Sequence, residues 1–467
     1  MKSKNQILAM GLALLLTGGL ASCQTNEWGT VDLTLTEQDD IYEPVNESYT
    51  YNHPCAMFSQ ADFDRVKASL DDGSAPAAVV EEYNFLKGNR YTQLSYTASP
   101  QEAIIRGGYT GTGFSSENYS YAMRDAAAAY QMGLMWKLSG DDQYAEKAVS
   151  ILNAWALTCK KIDSNDANQV LAAGAQGYTF ANAGEILRDY EGWDASKFEE
   201  FKTWMLTVFA PKNKNFLDTH TGSNVCSDHY WSNWDLVNLC SYLSIGILTE
   251  NDEMVNYVVN YFYNGEGNGC IKKLIQGTHT DPLGTGEILC QDQESGRDQG
   301  HAEMSCMVAA NLAQMAYTLY TVNPSVSKLD FFSANNNALL GLAEYVALSN
   351  LKSGSDNANS TGTWLISAAD MPFTTYYYCV DCVCKDKNHG ATHTQLADDS
   401  GRGRVRPGFE IYYMHYTKVK GLSDGFVYTK QFADKLRPEC GAGDERYGSN
   451  SGAFDQLGWG TLMLYRE

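Results

Sequence analysis

The chain has 467 residues, 44% of them hydrophobic and 19% charged, with a net charge of −22. That length and apolar share suit one large globular domain or two ordinary ones, and so acidic a chain excludes nucleic acid as a partner. The charge also opposes polyanions in general, so an acidic ligand needs a locally basic cleft, for which Arg297, Arg402, Arg404 and Arg406 are the candidates.

The N-terminus reads as a targeting segment. Lys2 and Lys4 precede an apolar run from Ile7 to Leu20 that is too short for a membrane-spanning helix. It ends on Leu20-Ala-Ser-Cys23, which resembles the bacterial lipobox. The expectation is a signal peptide over residues 1–23 and a mature chain lipidated at Cys23, exported and anchored to the outer membrane on its periplasmic or outer face. An ordinary secretory peptide cut nearby is the other reading. Residues 24–50 are polar and acidic without a lasting period, as in a flexible tether. Residues 51–467 show no internal linker or fixed repeat and are expected to form a single domain.

Within it, Ser59 caps a helix with Asp62 at the third position and Phe63, Val66 and Leu70 on one face. Helical spacing continues over Tyr121–Ser139, Asp142–Cys159, Asn168–Arg188, Lys197–Val208, Tyr230–Leu248, Glu253–Tyr263, His301–Tyr320 and Asn336–Asn350. The Gly-x-x-Gly-Tyr portion of the third allows close packing, and Tyr230–Leu248 is apolar all round, as in a buried helix. Strand-like alternation is confined mainly to the last hundred residues, around Tyr376–Val383 and Phe409–Tyr416. Successive helix hairpins predict an all-α fold, an (α/α) toroid or incomplete helical barrel with a few short strands late in the chain. Polar side chains at the inner helix starts would face its groove.

Two such starts are dense in chemistry. Gln291–His301 sets Glu294, Arg297, Asp298, Gln299 and His301 around two glycines. As a helix start it places Glu294, Arg297 or Asp298, and His301 on one face. The same run also reads as a salt-bridged start with Glu294 and Arg297 paired locally. Asp228–Asp235 sets His229 and Asn233 on one helical face and Trp231 and Trp234 on another. Asn182 and Glu185 interrupt a buried helix after Tyr178, and Arg406–His415 offers Arg406, Glu410, Tyr412, Tyr413 and His415. Each of these also has a plain structural reading, as a packing amide or as sheet aromatics. The chain has 12 cysteines, and Cys379, Cys382 and Cys384 followed by His389 and His393 have a zinc site in outline. Their short gap favours a disulfide or free thiols, and no metal is assigned.

As a set, His229-Tyr-Trp-Ser-Asn-Trp-Asp-Leu236, Gln293-Glu-Ser-Gly-Arg-Asp-Gln-Gly-His301, Tyr178-Thr-Phe-Ala-Asn-Ala-Gly-Glu185, Arg406-Pro-Gly-Phe-Glu410 and Asn450–Gly460 resemble the alginate-lyase-like superfamily, and within it polysaccharide lyase family thirty-eight most. The resemblance spans roughly residues 53–467. It implies an (α/α) toroid and cleavage of uronic-acid polymers such as alginate or glucuronan. Relatives in the superfamily carry Asn-Asn-His where this chain reads Ser227-Asp228-His229, and a Tyr seven residues after their Arg, where this chain has Met304.

Such a lyase removes the C5 proton beside a carboxylate and expels the sugar linked at C4. Donors must neutralise the carboxylate, and a base and an acid must reach C5 and the leaving oxygen. On that reading Arg297, with Asn233 and Gln299, supplies the donors. His229 and His301 support a tyrosine drawn from Tyr230, Tyr412, Tyr178 or Tyr413. Asn182, Trp231, Trp234, Gln293, Glu294, Arg406 and His415 complete the substrate contacts. No cofactor is required. The partner is an acidic polysaccharide, the chain is expected to act as a monomer, and membrane contact is through Cys23 alone. A glycoside hydrolase pairing Glu294 with Asp235 or Glu410 is the alternative enzyme, and a lipid-tethered glycan-binding protein the alternative without catalysis.

Overall fold

Helix follows helix through the described residues of the computed structural model, which are 42–107, 116–164, 166–221, 225–353, 362–379, 390–397, 401–449 and 451–467. α1 (Gln60–Asp72) opens on the expected capping box of Ser59 and Asp62 and closes on left-handed Gly73. α2 (Ala77–Gly88) and strand β1 (Ala103–Ile105) lead to α3 (Tyr119–Ser139), which turns at Gly140 into α4 (Asp142–Thr158). β2 (Lys161–Asp163) pairs in parallel with β1. α5 (Gln169–Leu187), α6 (Ala195–Trp204), α7 (Ala210–Thr219), α8 (Ser232–Leu248), α9 (Asp252–Asn264) and α10 (Ile271–Leu274) follow. The antiparallel pair β3 (Ile275–Thr280) and β4 (Ile288–Asp292) precedes α11 (Gln299–Tyr320) and α12 (Ala334–Asn350). A second antiparallel pair, β5 (Tyr376–Cys379) and β6 (Gly390–His393), comes before α13 (Phe409–Met414), α14 (Val427–Leu436) and α15 (Gly460–Leu464).

α3, α5, α8 and α11 pack side by side as an inner layer, with α4, α7 and α9 outside them. The inner helices run parallel. Gly174, Gly177 and Asn182 of α5 meet Val237, Ser241 and Ser244 of α8 in the same order. Ser232, Cys240 and Ser244 of α8 meet Ser305, Val308 and Met315 of α11 likewise. Glycine is required at this seam, because a Cβ on Gly177 would stand 2.1 Å from Ser241 Oγ. Parallel inner helices put all their starts at one end, so the segments before α8 and α11 open on a common mouth. Among the described residues no helix is long and apolar enough to cross a membrane. The expected signal peptide, Cys23 and tether residues 24–41 lie outside the described residues.

Residues 42–50, expected to belong to the tether, are instead laid along α9 by a ladder of amides. Asn264 accepts from Tyr42 N at 3.2 Å and donates to Tyr42 O at 2.7 Å. Asn260 does the same for Val45, at 2.7 and 2.9 Å, and Asn256 for Glu47, at 3.0 and 2.8 Å. Asp252 accepts from Tyr49 N at 3.3 Å. The spacing explains the fit. Four helical residues advance about 6 Å and two extended residues about 6.6 Å, so every fourth side chain of α9 meets every second peptide of the strap from Tyr49 to Val45. Asn260→Ala should remove both bonds to Val45, loosening the strap by about 1–2 kcal/mol. Hydrogen exchange at the Val45 amide reads this directly, and unchanged protection would show that the ladder does not hold the strap.

Two further expectations are corrected. Strands are not confined to the last hundred residues, since β1 to β4 lie earlier. The stretch Phe409–Tyr416 is helical rather than extended. Its alternating aromatics do not decide the matter, because Glu439 reaches across to accept from Gly408 N and, at 3.1 Å, from Glu410 N, capping α13 from outside.

Candidate active site

α8 begins at Trp231, whose indole caps nothing. The unpaired N–H groups of its first turn are met by the turn between β4 and α11. Gln293 Oε1 accepts from Ser232 N and Glu294 Oε1 from Asn233 N, both at 3.0 Å. The same Glu294 oxygen accepts from Asn233 Nδ2 at 2.5 Å, Ser305 Oγ at 2.8 Å and Ser232 Oγ at 3.3 Å. Its other oxygen accepts from Arg297 Nη1 at 2.8 Å. Glu294 is fully buried, and Gln293 and Asn233 nearly so. These three residues, expected to line the groove, are spent on joining α8 to α11. A buried carboxylate and a bare helix start each need partners, and here they satisfy one another. α11 itself starts at Gln299, with Asp298 as its cap accepting from His301 N at 2.9 Å. Glu294 and Arg297 therefore sit before the helix, in the local pair that the second reading of this run described.

What remains open at the mouth is cationic, aromatic and imidazole-bearing. The Arg297 side chain is 27% exposed and lies 4.8 Å above the Trp231 ring. Its Nε is 3.7 Å from Asp298 Oδ2, which also takes His301 Nδ1 at 2.6 Å. Burial would raise the Asp298 carboxyl, but the bonds from His301 and the charge of Arg297 hold it below its ordinary range. His229, two residues before Trp231, stands edge-on to Tyr230 at 4.8 Å. Tyr230 packs on Trp234 at 4.8 Å and shares a 2.9 Å hydrogen bond between its hydroxyl and Thr221 Oγ1. Trp231, Arg297, Asp298 and His301 thus form one contact group, and His229, Tyr230 and Trp234 a second one flanking Trp231 in the chain.

Tyr378, which sequence reasoning missed, and His393, which it weighed only for zinc, join them. The β5–β6 pair folds onto this turn, where Gly296 N donates to the Tyr376 hydroxyl at 3.2 Å. Tyr378 stacks on Trp231 at 5.3 Å and on His393 at 4.3 Å, and His393 lies 5.8 Å from Trp231. Gly296 is needed beneath them, since a Cβ there would stand 2.5 Å from His393 Cβ. Burial lowers the His393 pKa, favouring a neutral imidazole. The alternation of Tyr376 and Tyr378 signalled a strand, but nothing local shows where a strand docks.

The other expected site residues are elsewhere engaged. Tyr178 and Tyr412 are fully buried, their hydroxyls donating to the carbonyls of Asp455 and, at 2.7 Å, of Cys306. Burial drives both phenols far above their ordinary range, so neither serves as a base. Asn182 holds Met57 N and Ser244 Oγ inside the inner layer. His415 is sealed against Phe332 at 3.7 Å and Tyr317 at 4.5 Å, where burial pushes its pKa far down. Tyr413 sits at the α13–α14 corner, 5.9 Å beneath Lys430 and Arg437. Gln299 ties Ser295 O to Asn350. Arg406 donates to Gly300 O, Gly452 O and Asp455, all at 3.2 Å, pinning the C-terminal segment to the first turn of α11. Arg402 is bonded to the carbonyls of Ser349 and Ile366. Arg404, exposed beside Gly300, leaves a second cation at the start of α11. Cys379 is disulfide-bonded, so its sulfur is taken from any zinc, while Cys382, Cys384 and His389 lie outside the described residues.

Residues 87–273 match the family described as Alginate lyase. No curated protein matches the chain by sequence. Alginate lyase A1-III from Sphingomonas species A1 is similar over 89% of this chain and 99% of its own, at 13% identity and a TM-score of 0.51. A substituted form of alginate lyase A1-III in complex with a tetrasaccharide covers the same shares at 12% identity and a TM-score of 0.49. An alginate lyase from Bacteroides ovatus matches 67% of this chain and 87% of its own, at 10% identity and a TM-score of 0.45. Residues 87–273 thus resemble the Alginate lyase family, and the chain as a whole shares the (α/α) toroid fold of alginate lyase A1-III.

Proposed function

We propose that the chain cleaves a uronate polymer, alginate rich in mannuronate or glucuronan, by β-elimination at the mouth formed by the starts of α8 and α11. The observation that carries this reading is Arg297. It is a half-exposed guanidinium, braced by Glu294 and Trp231, and it shares Asp298 with His301. A cation held so can neutralise a uronate carboxylate and make the C5 proton removable, without waiting for solvent to reorganise. It also answers the net charge of −22, since Arg297 and Arg404 are local positive groups on an acidic chain. Mannuronate and glucuronate share their arrangement at C4 and C5, with the proton and the leaving oxygen on one side, so one tyrosine can act as base and then as acid.

The hydrolase alternative loses its carboxylates. Glu294, Asp235 and Glu410 are all fully buried. Asp235 is held by His220 at 3.0 Å and Gly269 N at 2.8 Å, and Glu410 by Arg437 at 2.7 and 2.9 Å. None can approach a glycosidic oxygen. An exported, lipid-anchored enzyme acting on extracellular polysaccharide is consistent with the leader sequence and forms part of the same proposal. Incubation with polymannuronate, glucuronan and polyguluronate, followed by ultraviolet absorbance, tests it. Absorbance should rise with the first two and rise least with polyguluronate. No rise on any uronate polymer rejects the lyase chemistry proposed here.

A further inference from the structure

We propose that Tyr378, carried by β5 onto the starts of α8 and α11, is the tyrosine that takes the C5 proton and returns it to the leaving oxygen. This rests on the β-elimination reading above. The position seven residues after Arg297 holds Met304, which has no acid–base chemistry and is nearly buried. A tyrosine serving this site must therefore come from elsewhere in the fold. Tyr178 and Tyr412 are sealed in the core, and Tyr413 lies at the α13–α14 corner. Tyr376 is buried with its hydroxyl on Gly296 N. Tyr230 is walled in by Phe216, His229 and Trp234, with its hydroxyl on Thr221.

Tyr378 differs from all of them. Its ring is half-exposed and lies directly against Trp231, which also carries the Arg297 guanidinium on its ring. It shares a strand face with Tyr376, whose hydroxyl fixes the strand to the turn bearing Arg297. Trp231 and His393 fix the plane of the ring, as a proton-transfer group requires. In the step proposed, the Tyr378 phenolate removes the C5 proton. The C–H electron pair becomes the C4–C5 double bond, and the C4–O bond breaks with its pair on the glycosidic oxygen. The phenol then gives that proton to the oxygen and is a phenolate again. No oxidant or second reactant is consumed.

Tyr378→Phe in the full chain tests this, assayed by absorbance on whichever polymer the wild type cleaves, beside Tyr230→Phe. Tyr378→Phe keeps the stacked ring and removes one oxygen, so its melting temperature should stay at the wild-type value. The expected result is a fall in kcat of at least a hundredfold with KM within about threefold, and a smaller fall for Tyr230→Phe. His393→Leu separates packing from proton transfer, because it loosens the ring yet leaves the hydroxyl; its kcat should fall less than that of Tyr378→Phe. Tyr378→Phe with kcat within threefold of wild type, or Tyr230→Phe as the more damaged variant, overturns the assignment and leaves the lyase reading standing. A wild type silent on every uronate polymer overturns both.

Discussion

Arg297→Ala is expected to lower kcat on the cleaved uronate polymer by about a thousandfold, the upper end of what removing one preorganised donor costs. The reason is geometric. One Nη of Arg297 is fixed on Glu294 and the face of the guanidinium lies on Trp231, so the group is held in place before substrate arrives. Its side chain stays 27% exposed, leaving the guanidinium accessible to a carboxylate. Arg297→Lys should recover little, because a single ammonium cannot serve Glu294 and the substrate with the planar fork that Arg supplies. Stability should fall by only about 2 kcal/mol, the worth of one charge-assisted bond, because four other contacts still reach Glu294. Steady-state kinetics with a thermal melt separate the two effects. An Arg297→Ala enzyme within tenfold of wild type would remove Arg297 from the chemistry.

The helices were legible because their apolar spacing is local. Tyr121–Ser139, Asp142–Cys159 and Asn168–Arg188 each fall within two residues of the helix found at either end. The mouth was legible in part, because His229, Trp231, Arg297 and His301 lie in two short stretches with unusual chemistry. What the sequence hid is how helix starts are capped. Four-residue capping patterns can be read along a chain, and Ser59 with Asp62 obeys one. The starts of α8, α13 and α14 obey none. They are capped by Glu294, Glu439 and Glu344, which arrive from distant parts of the sequence. A buried carboxylate doing that work has the same letter as one lining a groove, so sequence alone does not separate Glu294 from a substrate contact. The α9 ladder was visible as Asp252, Asn256, Asn260 and Asn264 at intervals of four, but its ligand was an unpatterned strap some two hundred residues away. Tyr378 and His393 were hidden for a related reason: alternation predicts a strand, whereas its docking against Gly296 depends on a contact that no local pattern encodes.

Glu294→Ala separates the two meanings of that letter. If Glu294 is the junction between α8 and α11, its loss strips an acceptor from Asn233 N, Asn233 Nδ2, Ser232 Oγ and Ser305 Oγ together, and leaves Arg297 unanchored. Each buried donor left without an acceptor costs about 1–3 kcal/mol, so losing Glu294 removes a large fraction of the stability of an ordinary domain. The melt should therefore drop steeply, and whatever protein stays folded should also be slow, because the guanidinium no longer has a fixed position. Glu294→Gln should fall between Ala and wild type. Its carbonyl can still accept from Asn233 N, but its amide must face donors on the other side, where it can accept nothing. A group that merely touched substrate would behave in the opposite way, with kcat or KM disturbed and the melt unmoved. Denaturation of Glu294→Ala and Glu294→Gln beside Arg297→Ala thus orders the residues by role. Glu294 should lead in stability loss and Arg297 in rate loss, and an exchange of those positions would return Glu294 to the substrate side of the mouth.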